Sequence, residues 1–379
     1  MAWVPHLAVV VIVAMLAGWP STATAQPLVE WTAALATNGA PTVPLTSGNG
    51  VYVADVPLTL HAEGTTLFVT RWEPSPAKIE VARFASGMTI AGRELSVLVV
   101  YVDHASSTVR AMTSSDGGRS WGASQALGTR PAGPAILSAC VFSRSGVIRQ
   151  VVVWTNQPSE SDGPLVVAWN DGSQWRTTEH PALRVSGASL ACSDDALPEV
   201  VWRDHRDGAT PTAVSLYHAQ IDDTGGLPGE HRVLRPAFDP SVCRSSDRMR
   251  VIGYHAALND AHVALSTDAG VTFTDLDMSP ESGQQPLDVD GKYVNVACRD
   301  DAIVALWGDW PTKGAAAARA DTRQLGVVVS TDRGATWTRL RPAGEDSGQG
   351  PASVALAGDV AIVSWRAPSS LRIAQLRLR

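Results

Sequence analysis

The amino-acid sequence predicts an all-β fold: a single β-propeller of four-stranded antiparallel blades. Two observations predict it. Short β-branched runs ending in an aromatic residue recur along the chain, and their aromatics, Tyr101, Trp154, Trp202, Tyr254, Trp307 and Trp365, follow one another every 48 to 58 residues. That spacing suits one four-stranded unit per repeat. Between these runs lies a second repeated element, an octad of the form Ser-x-Asp-x-Gly-x-x-aromatic, and no stretch carries a sustained helical period.

The runs themselves are Leu98–Tyr101, Val151–Trp154, Val200–Trp202, Val251–Tyr254, Ile303–Trp307 and Ile362–Trp365, with an earlier copy at Leu67–Trp72. Regular units start near Met88, Pro134, Ala188, Asp239, Tyr293 and Ser353, and residues 50 to 86 offer one more, so the count is six or seven, with seven preferred. The C-terminal unit has three strands before the chain stops. The stretch Leu28–Leu35 is available as its fourth strand, which would close the ring and remove exposed sheet edges. Ala315–Arg319 is helix-prone but falls inside an insertion within a unit.

The octads are Ser114-Ser115-Asp116-Gly117-Gly118-Arg119-Ser120-Trp121, Ser266-Thr267-Asp268-Ala269-Gly270-Val271-Thr272-Phe273 and Ser330-Thr331-Asp332-Arg333-Gly334-Ala335-Thr336-Trp337. Asn170–Trp175 reads as a decayed copy. The pattern is that of a hairpin turn. The carboxylate accepts from turn amides, the glycine supplies a positive φ, and the aromatic packs beneath the next strand.

Composition bounds the rest. The chain has 379 residues, 45% of them hydrophobic, enough for one large globular β domain. Its formal charge of −7 argues against a general affinity for nucleic acid or an anionic membrane. Nearly all its basic residues are arginine, the exceptions being Lys78, Lys292 and Lys313. Leu7–Gly18 is an apolar run of secretory length, and Ala23-Thr24-Ala25 is a small-residue cleavage pattern. Residues 1–25 are therefore expected to be a signal peptide and residues 26–379 the propeller. Export to the outside or the cell envelope is expected, with no membrane span after cleavage. The four cysteines, Cys140, Cys192, Cys243 and Cys298, sit on the first strands of four consecutive units. Buried free thiols are expected in preference to disulfides, because equivalent positions in neighbouring units are expected to lie too far apart for a bridge. No cofactor and no metal site are expected. Asp275, Asp277, Asp288 and Asp290 form an acidic stretch that matches no calcium loop, so a solvated excursion is preferred there.

Three octads in phase with the repeat resemble the Asp boxes (BNR repeats) of the sialidase superfamily. Val200–Gly208 is similar to a strand-and-loop found in many bacterial propellers of that group. The resemblance implies that Ser114, Asp116, Gly118, Trp121, Ser266, Asp268, Gly270, Phe273, Ser330, Asp332, Gly334 and Trp337 are structural. It also implies that ligands meet the opposite face, on loops joining strand two to three and strand four to the next strand one. Candidate ligand-binding residues there are Asp103, His104, Arg203, Arg206, Trp310 and Arg366, with Arg71 joining them. Arginine suits a sugar carboxylate and tryptophan a sugar ring. Sialidases add an arginine triad, a tyrosine nucleophile and an aspartate acid/base. Tyr293, Asp204 and Asp309 are the candidates for the catalytic roles. The stretch Val56–Leu60, where the family's first arginine would stand, has none. Two functions stay open: an exported propeller that binds or hydrolyses extracellular glycans, as an exo-glycosidase of sialidase type if catalytic, or a non-catalytic scaffold for cell-surface protein or cell wall. A monomer is expected in either case.

Overall fold

A computed structural model describes residues 30–36, 50–53, 56–63, 65–72, 76–129, 137–155, 162–208, 214–234, 236–245, 248–256, 261–277, 289–311, 325–340, 352–367 and 370–378. These residues form strands and turns and no helix. Strand β1 (Glu30–Ala36) stands apart in sequence from its sheet. Unit one is β2 (Gly50–Val53), β3 (Val56–Glu63), β4 (Thr66–Trp72) and β5 (Pro76–Arg83). Unit two is β6 (Ala85–Arg93), β7 (Ser96–Asp103), β8 (Thr108–Ser114) and β9 (Gln125–Thr129). Unit three is β10 (Leu137–Arg144), β11 (Val147–Thr155), β12 (Gly163–Asn170) and the start of β13 (Trp175–Ala191). The end of β13 opens unit four, which continues through β14 (Glu199–Asp204), β15 (Ser215–Gln220) and β16 (His231–Leu234). Unit five is β17 (Phe238–Arg244), β18 (Arg250–His255), β19 (Ala261–Ser266) and β20 (Thr274–Asp277). Unit six is β21 (Val289–Arg299), β22 (Ala302–Pro311), β23 (Leu325–Ser330) and β24 (Thr338–Leu340). Unit seven is β25 (Ala352–Ala357), β26 (Val360–Ala367) and β27 (Ser370–Arg377), with β1 paired antiparallel on β27.

By hydrogen bonding the described strands make six sheets, one of them seven-stranded. That sheet is units three and four joined through β13, whose first residues pair β12 and whose last pair β14. All described pairings are antiparallel. The first strand of each unit packs beside the first strand of the next, from β2 on β6 round to β25 on β2, so the units form a closed ring. Hydrophobic runs explain the core. Val151–Val153, Val200–Trp202 and Ile303–Leu306 are wholly buried because second strands are covered on both faces by neighbouring units. Trp72 lies on the third strand of unit one, not on a second strand like the other aromatics, which is why it precedes Tyr101 so closely.

First strands present one unpaired edge to the ring axis, and their amides need partners. Serines of the preceding unit provide three. Leu190 N donates to Ser138 Oγ (3.0 Å), Val242 N to Ser189 Oγ (3.1 Å) and Val296 N to Ser241 Oγ (3.2 Å).

The cysteines correct the sequence expectation. Cys140 is bonded to Cys192 and Cys243 to Cys298, and there are no free cysteines. First strands of adjacent units come closest at the ring, so the Cα separations are 6.1 and 5.7 Å, within reach of a bridge. The sequence spacing contains the reason. Cys140 and Cys243 lie two residues after Ser138 and Ser241, on the same strand face, toward the next unit. Cys192 and Cys298 lie three residues after Ser189 and Asn295, on the opposite face, toward the preceding unit.

The octads form the turns between third and fourth strands. In each, the serine hydroxyl donates to the aspartate (2.7, 2.7 and 2.8 Å) and accepts from the glycine amide. The aspartate accepts from both the amide and the hydroxyl four residues after the serine-to-aspartate corner, at Ser120, Thr272 and Thr336. These bonds hold all three carboxyls below their ordinary value, that of Asp268 at about 2. The glycines at 118, 270 and 334 have φ of 81, 86 and 83° and lie against the preceding unit: a Cβ on Gly270 would meet the His218 ring at 3.1 Å. Unit four carries a variant of the turn, in which Asp222 accepts from the amides of Thr224 and Gly226.

Candidate functional site

Strand alternation places the connections from strand two to three and from strand four to one on a single face, opposite the octads. Four first strands carry a β-bulge at this face: at Ser86–Met88 in β6, Val185–Gly187 in β13, Phe238–Ser241 in β17 and Lys292–Asn295 in β21. Bulges take a residue out of the ladder and re-aim its side chain. Here they set Ser186 and Asp239 beside the ends of second strands.

The best-formed cluster lies at the seam between units four and five. Arg203, near the end of β14, places its guanidinium 4.6 Å over the Phe238 ring. Phe238 in turn stacks on His255, the last residue of β18, at 5.2 Å and 13° between planes. Asp239, left-handed at φ 46° before Pro240, reaches both ends of this stack. Its carboxylate oxygens lie 3.8 Å from Arg203 Nη1 and 3.8 Å from His255 Nδ1. Arg203 Nε is buried and has no hydrogen-bond partner in the structure, and burial lowers the guanidinium's pKa. His205 sits beside it with Nε2 2.8 Å from Ser186 Oγ. Burial first, then the charge of Arg203, lowers the His205 pKa, so the ring is neutral at neutral pH.

The other candidates read from sequence separate into those committed to the fold and those described only in their backbone. Asp204 is wholly buried and accepts from Trp202 Nε1 (3.0 Å), Arg206 N (2.8 Å), Arg206 Nε (2.9 Å) and Arg206 Nη2 (2.6 Å). Wholly buried and turned to Trp202 and Arg206, this carboxylate is not placed to exchange a proton with a ligand at the mouth. Arg206 is committed in the same way, to Asp204, to Glu230 and over the Tyr217 ring at 4.2 Å. Asp103 caps its own turn through Ala105 N and Ser106, and His104 is exposed beside it with its amide on Phe84 O. Arg71 is a correction. It lies on a third strand, at the octad face, where Nη1 donates to Gly117 O (2.7 Å) of the next unit's turn. Asp309, Trp310 and Arg366 lie toward the ends of β22 and β26 at the site face, and Tyr293 lies in the β21 bulge. Their side chains are outside the described residues. In the acidic stretch Asp275 pairs with His262 (3.1 Å), and Asp288 lies outside the described residues. Among the described residues no group of three or more His, Cys, Asp or Glu side chains could hold a metal ion.

Phe238, Asp239 and Ser186 were not legible as site residues. They come from strand starts, and only the register of pairing shows that a bulge turns them to the mouth. The one signal was Phe238-Asp239-Pro240, where proline forces an extended residue before it or a break in the ladder.

No protein-family profile matches the chain, and no curated protein matches it. Solved structures do. The fucose-specific lectin from Aleuria aurantia superposes with a TM-score of 0.50 at 14% identity, over 77% of this chain and 95% of that one, and that lectin is a six-bladed β-propeller. The polysaccharide lyase Uly1 gives 0.52 at 12% identity, over 88% and 90%. The chain is an all-β propeller. A Trypanosoma rangeli sialidase mutant is also similar, with a TM-score of 0.45 at 12% identity, over 91% of this chain and 58% of that one. No described helix is long and apolar enough to cross a membrane.

Proposed function

We propose that the chain is an exported propeller of seven blades and the Asp-box kind that binds extracellular glycans at the seam between blades four and five. In this reading residues 1–25 are a signal peptide, residues 26–379 are one propeller closed by its N-terminal strand, and the protein acts outside the cell or in its envelope as a monomer. The observation that carries the binding reading is the Arg203–Phe238–His255 stack with Asp239. It sets an aromatic ring, a cation and a carboxylate side by side, with Arg203 4.6 Å over Phe238 and Asp239 3.8 Å from Arg203 Nη1. Sugar recognition needs that mixture of a flat apolar surface and fixed polar groups. The fucose-specific lectin and the polysaccharide lyase among the similar structures support the glycan part of this reading.

Binding is preferred over glycosidic hydrolysis because Asp204 is spent inside the protein. Hydrolysis needs two carboxyl groups flanking the bond, and it would have to draw on Asp309, with Tyr293 as nucleophile. A glycan array probed with the wild type, Arg203→Ala and Phe238→Ala tests the binding reading. At least one glycan is expected to bind, about tenfold or more weaker to each variant, as loss of a central contact costs on the order of 1–2 kcal/mol. Binding unchanged in both variants, or no glycan bound at all, would leave the scaffold reading, in which a cell-surface protein or the cell wall is the partner.

A further inference from the structure

The seam site contains a pair that binding alone does not use. Ser186 is the residue that the β13 bulge removes from the ladder: Val185 pairs with Asp204 and Gly187 with Arg203, and Ser186 has no cross-strand partner. Its hydroxyl is 2.8 Å from His205 Nε2. Both side chains are half-buried, between solvent and core. The His205 backbone is fixed, its amide donating to Arg184 O (3.0 Å). Arg203, opposite Gly187, adds a cation near enough to act on His205.

We propose that Ser186 and His205 are a nucleophile–base pair that hydrolyses carboxylic esters, with the O-acyl group of a substituted sugar as the substrate class. The sugar part of that class rests on the glycan reading above; the ester chemistry does not. A hydroxyl hydrogen-bonded to a neutral imidazole is the arrangement that makes serine nucleophilic. Ser186 Oγ attacks the ester carbonyl carbon as its proton passes to His205 Nε2. The tetrahedral oxyanion takes hydrogen bonds from the Arg203 guanidinium. The carbon–oxygen bond to the alcohol breaks, and the imidazolium returns the proton to the leaving oxygen. Water then attacks the acyl-serine, giving its proton to His205, and Ser186 Oγ leaves and recovers that proton. One ester and one water become one carboxylic acid and one alcohol.

The test is labelling of the full chain with an aryl-tagged fluorophosphonate, with peptide mapping of the adduct, beside turnover of p-nitrophenyl acetate. A single adduct on Ser186 is expected, absent in Ser186→Ala and slowed about 100-fold or more in His205→Gln, the range general-base catalysis supplies. The labelling rate of the wild type is expected to rise with pH and then level off, following loss of the His205 proton; a serine that merely anchors the bulge would show no such profile. Thermal melts identify any variant that fails to fold, and Ser186→Cys, expected to take iodoacetamide in a His205-dependent way, then replaces it. No adduct on Ser186 in folded wild type, while a control serine hydrolase labels fully, overturns the proposal. Labelling without array binding would sink the glycan reading alone, and array binding without labelling would sink the ester chemistry alone.

Discussion

The Asp268 carboxylate accepts from the Thr272 amide (2.9 Å), the Thr272 hydroxyl (2.5 Å) and the Ser266 hydroxyl (2.7 Å), and its pKa falls to about 2. A carboxylate whose pKa is lower folded than unfolded stabilises the fold above its unfolded value, near 4, and loses that contribution as pH falls through the folded one. Asp268→Asn is therefore expected to melt below the wild type at pH 7. The gap should close between about pH 4 and 2 in melts followed by circular dichroism; a gap that persists at pH 2 would mean that the charge is not what matters. The turn was readable in sequence because all its partners lie within eight residues. Asp204 was read from the same kind of local pattern and looked free. Its bonds to Trp202 and Arg206 are local too, yet nothing in Trp-Arg-Asp-His-Arg says which side chains fold back on the strand end and which face outward.

At the scale of strands, three seams show what holds neighbouring units together, and the device is not the same in all of them. Between units three and four, and between five and six, it is a disulfide. Between four and five it is a buried carboxylate: Glu199, wholly buried, accepts from Arg244 Nη1 (2.9 Å), Arg250 Nε (2.5 Å) and His218 Nε2 (3.2 Å). Burial alone would raise the Glu199 pKa, but the bonds from His218 and Arg250 and the arginine charges outweigh it and lower it. Removing that charge takes the counter-charge from two arginines at a buried site, so Glu199→Gln is expected to cost about 3–5 kcal/mol in urea unfolding. Ser189→Ala, at the same seam, leaves the Val242 amide without its acceptor and is expected to cost about 1–3 kcal/mol. The second strands were legible from their valine and isoleucine runs. The bulges that make the mouth were not, because a bulge is a mismatch between two strands and neither strand alone records it.

The ring as a whole depends on how its ends meet. The repeat was visible in the aromatic spacing because every unit solves the same packing problem, a second strand covered on both faces. Closure is a different matter, since it joins residues more than 300 positions apart. β1 pairs β27 from Glu30 opposite Arg377 to Ala36 opposite Arg372, and thereby covers the edge of the last sheet. Neither disulfide lies at this seam. The two close loops of 52 and 55 residues elsewhere and, on a loop-entropy estimate, contribute about 4 kcal/mol each. They cannot substitute for β1, because they hold units that are already consecutive in sequence. A chain beginning at residue 37 should therefore keep its disulfides and most of its strand signal but present β27 as an open edge, the usual route to pairing with another chain. Light scattering after size exclusion is expected to show dimers or larger species for this chain, and melting should begin at a lower temperature than for the full chain. If the shortened chain ran as a monomer with unchanged melting, the seam between units seven and one would be held by the packing of β25 on β2, and β1 would be an ornament of the outer edge.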